Sequence, residues 1–284
     1  MAECRHLGPG DELALFGFLD QHIESSLFLV SNAEAGGLED VGEPLQGTYI
    51  ASFEDGGMTA VAAHYWNGML MMQGERGLEA SAREAVARSR RPVSGLIGPL
   101  ALVERVRRAL DMQARAAKKD EPEILYALSL ERLRIPPLLS TAGLTCRPPT
   151  DDENAGLLID WRMDYVTEAL GAERTESLRE EVRNELARSD RVGWVLVIDG
   201  RPVSYSLFNA RARGVVQVGG VFTPPELRAR GYARAVVAGS LLDARKQGAT
   251  RSILFTGRTN VAAQRAYASL GYEMIGEFGL VLFR

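Results

Sequence analysis

The segment from Val215 to Gly271 constrains the fold most, because it alternates strand and helix patterns. An apolar strand pattern, Val215–Thr223, runs into Pro224 and Pro225. These prolines lack amide hydrogens, so a sheet ladder should end there. An Arg/Gly loop and a long amphipathic helix pattern follow, and then a strand pattern, Ser252–Thr256, that leads to another helix. This order predicts a βαβ unit with two parallel strands.

The loop between that strand and helix, Arg228–Ala233, has the chemistry of an anion site. Amide hydrogens at a helix start lack partners within the helix and point the same way, with the positive end of the helix dipole behind them. Gly231 would let a phosphate approach the backbone, and Arg228 and Arg230 would add positive charge. A helix start that merely needs a glycine explains the same residues, so spacing alone leaves both interpretations open.

Two other features of the segment bear on function. The pair Gly219-Gly220 inside the first strand predicts a bulge or a close approach of a ligand to the backbone. Asn260 is the expected N-cap of the second helix and Gly271 its end. Tyr267 lies on the apolar face of that helix, where periodicity alone favours an ordinary core position.

The first half of the chain is typical of a mixed α/β domain that begins with antiparallel strands. The turns Glu54–Gly57 and Asn67-Gly68 favour positive φ and predict hairpins. The loop Gly74–Gly77 contains an acidic residue, which favours a plain turn over a phosphate cradle. The expected elements are a helix over Asp11–Leu29, strands over Gly47–Phe53, Thr59–Trp66 and Met69–Gln73, a helix over Glu79–Arg90, a strand over Val93–Ile97, a helix over Leu100–Met112 and a strand over Ile124–Leu130.

Four prolines between Ile135 and Thr150 mark the best domain boundary and predict domains over residues 1–140 and 141–284. A strand around Gly143–Arg147 also fits this connection. After it, the expected elements are helices over Asp151–Leu170 and Glu173–Arg188, with Thr150 or Asp151 as N-cap, and a hairpin of Trp194–Ile198 and Val203–Asn209 around Asp199-Gly200.

Composition favours a soluble globular protein. Of the 284 residues 46% are apolar and 25% charged, and the formal net charge of −4 gives no electrostatic basis for a nucleic-acid or membrane partner. Cys4 and Cys146 lie far apart and the three histidines are scattered, so neither a disulfide framework nor a metal site is expected. With no signal-peptide core and no apolar run expected to span a bilayer, a cytoplasmic location is expected.

Together, the two helix-opening motifs resemble the GNAT superfamily of acyl-CoA-dependent N-acyltransferases. The sequence RARGYA at Arg228–Ala233 matches the family's Q/R-x-x-G-x-G/A loop, with alanine in the last place. The sequence NVAAQRAYASLGY at Asn260–Tyr272 matches its Asn…Tyr…Gly-aromatic element. The motifs cover about the last 70 residues, and the element order extends the match to roughly Thr150–Arg284.

The resemblance implies an α/β fold, a central mixed sheet flanked by helices, present twice in tandem. The first half repeats the element order without the motifs. When Leu96–Gly98 is aligned with Phe255–Gly257, Ala101 falls opposite Asn260 and Arg108 opposite Tyr267. A degenerate N-terminal domain without an acyl-CoA site is therefore expected, with one active site in the second domain.

The resemblance also implies a set of residues that bind acetyl-CoA as co-substrate. Backbone groups near Val221, Phe222 and Thr223 would bond the pantetheine arm, as an added strand would. An amide near Val221 would also polarise the thioester carbonyl. The residues expected at the pyrophosphate or around the cofactor are Arg228, Arg230, Gly231, Tyr232, Ala233 and Asn260.

For catalysis, the resemblance makes Tyr267 the acid that protonates the departing thiolate. With an ordinary pKa of about 10, a tyrosine stays protonated at neutral pH and can donate. The base is left open among Glu153, Asp160, Asp164, Glu168 and water relays.

The expected reaction is acetyl transfer to an amine of a small molecule or a protein. A catalytically silent acyl-CoA-binding sensor is the alternative, and the intact Tyr267 weighs against it. Aminoacyl transfer from tRNA would need a basic groove, of which the net acidic charge gives no sign. The residue types fit many amines, so the acceptor and the oligomeric state stay undetermined.

Overall fold

Short antiparallel hairpins and helix crossovers make up the protein, and the computed structural model describes residues 3–187 and 192–284. The strands are β1 (Glu3–His6), β2 (Gly47–Glu54), β3 (Gly57–Tyr65), β4 (Met69–Gly74), β5 (Gly95–Pro99), β6 (Ala117–Lys119), β7 (Glu123–Ser129), β8 (Leu144–Arg147), β9 (Val192–Ile198), β10 (Arg201–Ala212), β11 (Val215–Phe222), β12 (Arg251–Gly257) and β13 (Glu273–Phe283). The helices are α1 (Glu12–Leu19), α2 (Ile23–Gly36), α3 (Leu78–Ser89), α4 (Leu100–Ala109), α5 (Asp151–Ala155), α6 (Leu157–Leu170), α7 (Glu176–Ala187), α8 (Tyr232–Lys246) and α9 (Val261–Leu270).

The predicted elements are found close to their expected positions. The helix predicted over Asp11–Leu29 extends to Gly36 and is interrupted by a 3₁₀ turn at Asp20–His22, and the one over Asp151–Leu170 is broken at Gly156. Arg188, the predicted end of the following helix, lies outside the described residues. The strands β1, β6 and β13 were not predicted. The expected α/β architecture of mixed sheet and flanking helices is confirmed.

The expectation that no apolar run is long enough to span a bilayer is wrong. By length and composition alone, the helical stretch Glu12–Gly36 is long and apolar enough to cross a bilayer. The core helix of a soluble protein passes the same test, and Leu15, Leu19 and Leu27 of this stretch are buried inside the protein. The stretch is therefore weak evidence for a membrane span.

The chain divides into two compact units, and the first comprises Met1–Ile124 and Gly276–Arg284. Its strands follow the order β1-β2-β3-β4-β5, with residues 276–283 of β13 beyond β5. Both predicted hairpins are confirmed, since Asp55, Gly56 and Gly68 take positive φ at the turns. The first unit thus takes its last strand from the C-terminal end of the chain.

Gly95 allows this last strand to lie against β5. A Cβ at Gly95 would come within 2.4 Å of the Val281 carbonyl oxygen and 2.7 Å of the Met69 sulfur. We expect Gly95→Ala to lower the free energy of unfolding by about 1–3 kcal/mol, because backbone must move to admit the methyl group. Gly17→Ala, in α1 where a Cβ meets nothing within 4 Å, is the matched control and should be neutral or stabilising. Denaturant titration measures both, and equal stability of the two variants would contradict this packing.

The second unit comprises Leu125–Ile275. Its strand order is β7-β12-β11-β10-β9-β8, in which β11 and β12 are parallel and the pairs from β11 to β8 are antiparallel. Asp199 and Gly200 take positive φ in the β9–β10 turn, which confirms that hairpin, and β8 confirms the strand expected after Gly143. The predicted boundary between residues 140 and 141 stays a prediction.

The core of the second unit positions the functional segment. Trp161 and Phe222 pack with their ring centroids 6.1 Å apart and join α6 to β11. On the other face of the sheet, Val236, Val237 and Leu241 of α8 are buried, as their helical spacing predicted. The strand β11 is therefore held between helices on both faces.

Candidate active site

The two parallel strands at the centre of the second unit separate along their length. Val215–Gln217 of β11 pairs with Arg251–Ile253 of β12, and no pairing follows although both strands continue. Backbone groups of β11 beyond Gln217 are therefore not used by β12. Such unpaired strand edges can receive an extended ligand as an added strand.

A bulge in β11 lies beside this opening. Tyr205 of β10 faces Phe222, whereas Leu207 faces Gly219, so β11 has one residue more than β10 between these pairs. Gly220 takes φ +56° at this point, a conformation that side chains rarely adopt. The bulge predicted from Gly219-Gly220 is thus confirmed.

Beyond the bulge lie the three residues expected along the pantetheine arm. Val221 is half-buried, and Phe222 and Thr223 are buried. The Ser204 hydroxyl donates to the Phe222 carbonyl oxygen at 3.0 Å, and the Arg228 Nε donates to the Thr223 carbonyl oxygen at 3.0 Å. Side chains of the protein thus hold both carbonyl oxygens in place at the end of β11.

The loop after β11 turns sharply before α8 begins. Gly231 is the N-cap of α8 at φ +80°, and Ala229 takes φ +62°. The helix starts at Tyr232 as predicted, and its first turn carries no acidic residue. The amides of Tyr232 and Ala233 lack intrahelical partners because they belong to the first turn. The loop therefore presents donors and the positive end of the helix dipole without an opposing carboxylate in that turn.

Of the two arginines expected to supply charge here, Arg228 is partly neutralised. Its Nη2 lies 2.8 Å from Glu168 Oε2, and both side chains are about half exposed, at 47% and 50%. An exposed pair of this kind contributes about 0–1 kcal/mol, so a bound anion could compete with Glu168. Arg230 is exposed, and its Nη2 donates weakly to the Glu226 carbonyl oxygen at 3.4 Å.

A third arginine, Arg234 in the first turn of α8, lies beside the loop and was not predicted from the sequence. Its Nε is buried and finds no hydrogen-bond partner among the described residues. Its Nη2 lies 3.5 Å from the position that a Cβ on Gly231 would occupy. Residues three apart in a helix face the same side, so this spacing could have identified it. A guanidinium beside a glycine at a helix N-terminus fits the oxygens of a diphosphate.

Arg234 gives the first binding prediction. We expect Arg234→Gln to weaken acetyl-CoA binding about 10-fold, the loss of one charge-assisted hydrogen bond. Lys246→Gln removes one positive charge at the other end of α8 and should leave the affinity unchanged. Titration calorimetry measures both dissociation constants. If Arg234→Gln and Lys246→Gln weakened acetyl-CoA binding equally, the affinity would depend on the net charge of the protein and not on a contact of Arg234.

The second motif builds the start of α9. The Asn260 side-chain oxygen accepts a hydrogen bond from the Ala263 amide at 3.1 Å, which confirms the predicted N-cap. Gly271, at φ +101°, ends the helix as predicted. Orientation of a cofactor by Asn260 stays a prediction.

Tyr267 sits on α9 in surroundings that keep it protonated. The side chain is half-buried, and its ring meets that of Tyr272 edge-on, with centroids 6.0 Å apart. Burial raises the pKa of the Tyr267 phenol, and the nearby Tyr165 adds to that rise. The hydroxyl is therefore a proton donor throughout the neutral range.

The carboxylates considered as bases all pair with arginines. The Arg147 guanidinium hydrogen-bonds Glu153 and holds the pKa of that carboxyl below its usual range, which makes Glu153 a weaker base. The other pairs are Asp160–Arg179, Asp164–Arg174 and Glu168–Arg228. Within residues 3–187 and 192–284, no cluster of three His, Cys, Asp or Glu side chains could hold a metal ion.

The corresponding place in the first unit differs in charge. There α3 also begins after a glycine, Gly77, at φ +83°. The amide of Glu75 donates to the Thr59 carbonyl oxygen at 3.2 Å, and the first turn of α3 carries Glu79. A carboxylate in that turn would repel a phosphate.

Known proteins of one family resemble this chain. Residues 157–272 match the family model described as Acetyltransferase (GNAT) family. A Drosophila protein structure is similar over 99% of both chains, with 11% identity and a TM-score of 0.69. No curated protein matches the chain.

Two further solved structures share the fold. A GCN5-related N-acetyltransferase from Sphaerobacter thermophilus is similar over 99% of this chain and 94% of its own, with 17% identity and a TM-score of 0.54. A tandem GNAT protein from the clavulanic acid biosynthesis pathway is similar over 99% and 98%, with 13% identity and a TM-score of 0.55. Acyl transfer is the activity that this family and fold support. Residues 157–272 therefore match the acetyltransferase (GNAT) family model, and the protein has the GNAT fold.

Proposed function

We propose that the second unit transfers an acetyl group from acetyl-CoA to an amine. The observation that carries this proposal is the start of α8, where Gly231 is the N-cap and the Arg234 guanidinium lies beside it, with Nη2 3.5 Å from the position of a Cβ on Gly231. It follows directly on a bulged strand that is open towards β12. The tandem GNAT structure described as "without AcCoA" associates acetyl-CoA with that neighbour and supports the choice of acyl donor.

The residues divide the binding of acetyl-CoA between them. The amides of Arg230, Gly231, Tyr232 and Ala233, with the Arg234 guanidinium, would hold the diphosphate. The free edge of β11 would bond the pantetheine amides in the manner of an added strand. Bound CoA supplies an activated thioester, and an amide near Val221 would polarise its carbonyl.

In the proposed reaction the amine attacks the thioester directly, without an acyl-enzyme intermediate. The lone pair of the neutral amine forms a C–N bond to the thioester carbonyl carbon, and collapse of the tetrahedral intermediate breaks the C–S bond. The nitrogen loses one proton to a base or to water, and the sulfur gains one from Tyr267. The products are an amide and free CoA thiol. Burial raises the pKa of Tyr267, so the phenol enters the step protonated.

Turnover separates this proposal from a silent acyl-CoA sensor. Acetyl-CoA is incubated with the protein and a panel of amines, comprising amino acids, polyamines and a peptide with a free amino terminus, and thiol release is followed. Release that depends on one class of amine is expected. Tight acetyl-CoA binding without thiol release on any amine would favour the sensor, and absence of binding would contradict both.

A further inference from the structure

A buried arginine outside the two motifs lies beside the bulge of β11. Arg162, on α6, is 8% exposed. Glu185 of α7 accepts hydrogen bonds from its Nε at 3.2 Å and from its Nη2 at 2.9 Å. The remaining nitrogen, Nη1, is buried and has no hydrogen-bond partner in the described part of the chain. A buried donor without a partner is unfavourable, so a hydrogen-bond acceptor bound at Nη1 would be stabilising.

The unsatisfied nitrogen lies close to the expected position of the thioester. Nη1 is 3.0 Å from the position that a Cβ on Gly220 would occupy, and Gly220 immediately precedes Val221. A side chain at residue 220 would therefore collide with the guanidinium. Leu207 Cδ2 lies 2.9 Å from the same position, so the glycine lets both side chains approach the backbone of the bulge.

The proton donor belongs to the same neighbourhood. Tyr165 lies three residues after Arg162 on α6. The guanidinium carbon of Arg162 is 4.9 Å from the centre of the Tyr165 ring. Tyr165 is near enough to Tyr267 to influence its ionisation. Tyr165 thus contacts the arginine and also influences the proposed acid.

The geometry points to an acceptor amine that carries a carboxylate, held by Arg162 Nη1; this inference rests on the proposed acetyl transfer. A guanidinium remains charged at all relevant pH values and forms strong, charge-assisted hydrogen bonds to carboxylates. Glu185 fixes one edge of the fork and leaves Nη1 with both hydrogens available. The ion pair with Glu185 thus leaves one buried donor without a partner in the described part of the chain.

The test compares amines that differ only in the carboxylate. Wild-type protein and Arg162→Lys are assayed with acetyl-CoA and with glycine, β-alanine and γ-aminobutyrate, each against its amide at equal free-base concentration. Lysine retains the charge beside Glu185, whereas its single nitrogen cannot serve both Glu185 and a ligand. For the wild type, kcat/KM should favour one amino acid over its amide by about 100-fold, and Arg162→Lys should reduce that ratio to less than about 5-fold.

Controls separate the possible failures. A second variant, Arg162→Gln combined with Glu185→Gln, replaces the ion pair by a neutral one and covers the case in which lysine is not tolerated. A wild-type ratio near one, or a ratio that both variants retain, overturns the assignment of Arg162. Equal losses for amino acid and amide would also overturn it, since they indicate a structural or thioester-directed role. Absence of turnover with every amine, while acetyl-CoA still binds, would count against the proposed acetyl transfer itself.

Discussion

Replacing Gly231 by glutamate is expected to weaken acetyl-CoA binding by more than about 100-fold, because the carboxylate would lie where the diphosphate binds. Gly231 is at φ +80°, and a Cβ there would be 3.5 Å from Arg234 Nη2 and 3.9 Å from a Leu138 methyl carbon. A side chain therefore fits sterically at its first atom, although the backbone conformation is strained for any residue with a Cβ. Titration calorimetry with acetyl-CoA measures the effect.

Gly231→Gln is the matched control for this prediction. Glutamine has the size of glutamate and imposes the same backbone strain, so the difference between the two variants isolates the charge. We expect the glutamine variant to bind at least about 10-fold more tightly than the glutamate variant. Thermal unfolding checks that both variants are folded. If both folded variants kept wild-type affinity for acetyl-CoA, the loop Arg228–Ala233 would not be the diphosphate site.

The second large effect is expected at Tyr267. Tyr267→Phe should lower kcat by about 10²–10⁴-fold, the range typical for loss of a general acid. The dissociation constant of acetyl-CoA should change by less than about 2-fold, since the ring and its packing against Tyr272 are retained. Stopped-flow or steady-state measurement of thiol release gives kcat, and calorimetry gives the affinity.

Tyr272→Phe serves as the control for the acid. The Tyr272 hydroxyl lies 2.6 Å from the Ser252 hydroxyl and has a partner of its own inside the protein. Its loss should cost stability and leave kcat close to wild type. An unchanged kcat in Tyr267→Phe would remove Tyr267 from the acid role. Because burial raises the pKa of Tyr267, the wild-type kcat should show no decline between pH 7 and about 10 that depends on this residue.

Local sequence patterns predicted the parts of the fold that depend on local physics. The residues at Asp55-Gly56 and Asp199-Gly200 take positive φ and favour hairpin turns through their local backbone preference alone. Asn260 identifies a helix start because its side chain satisfies an amide three residues away. Gly219-Gly220 indicated the bulge because few other residues tolerate the backbone conformation found there.

The parts that the sequence did not reveal depend on contacts between distant residues. Nothing near Phe278 or Val281 indicates that this strand pairs with β5 in the first unit, because an apolar strand pattern does not specify its partner. The hydrogen bonds of Arg162 to Glu185 join residues 23 positions apart on different helices. Arg234 was accessible in principle, since only its helical spacing from Gly231 was needed.

The most direct test of the acyl-CoA site is a crystal structure of the protein with acetyl-CoA bound. We predict diphosphate oxygens within about 2.7–3.2 Å of the amides of residues 230–233, with the Arg234 guanidinium in contact with them. The pantetheine arm should run along β11 beyond Gln217, and the sulfur should lie within hydrogen-bonding reach of the Tyr267 hydroxyl. A cofactor bound in the first unit, or one whose diphosphate lies away from Gly231, would contradict the account.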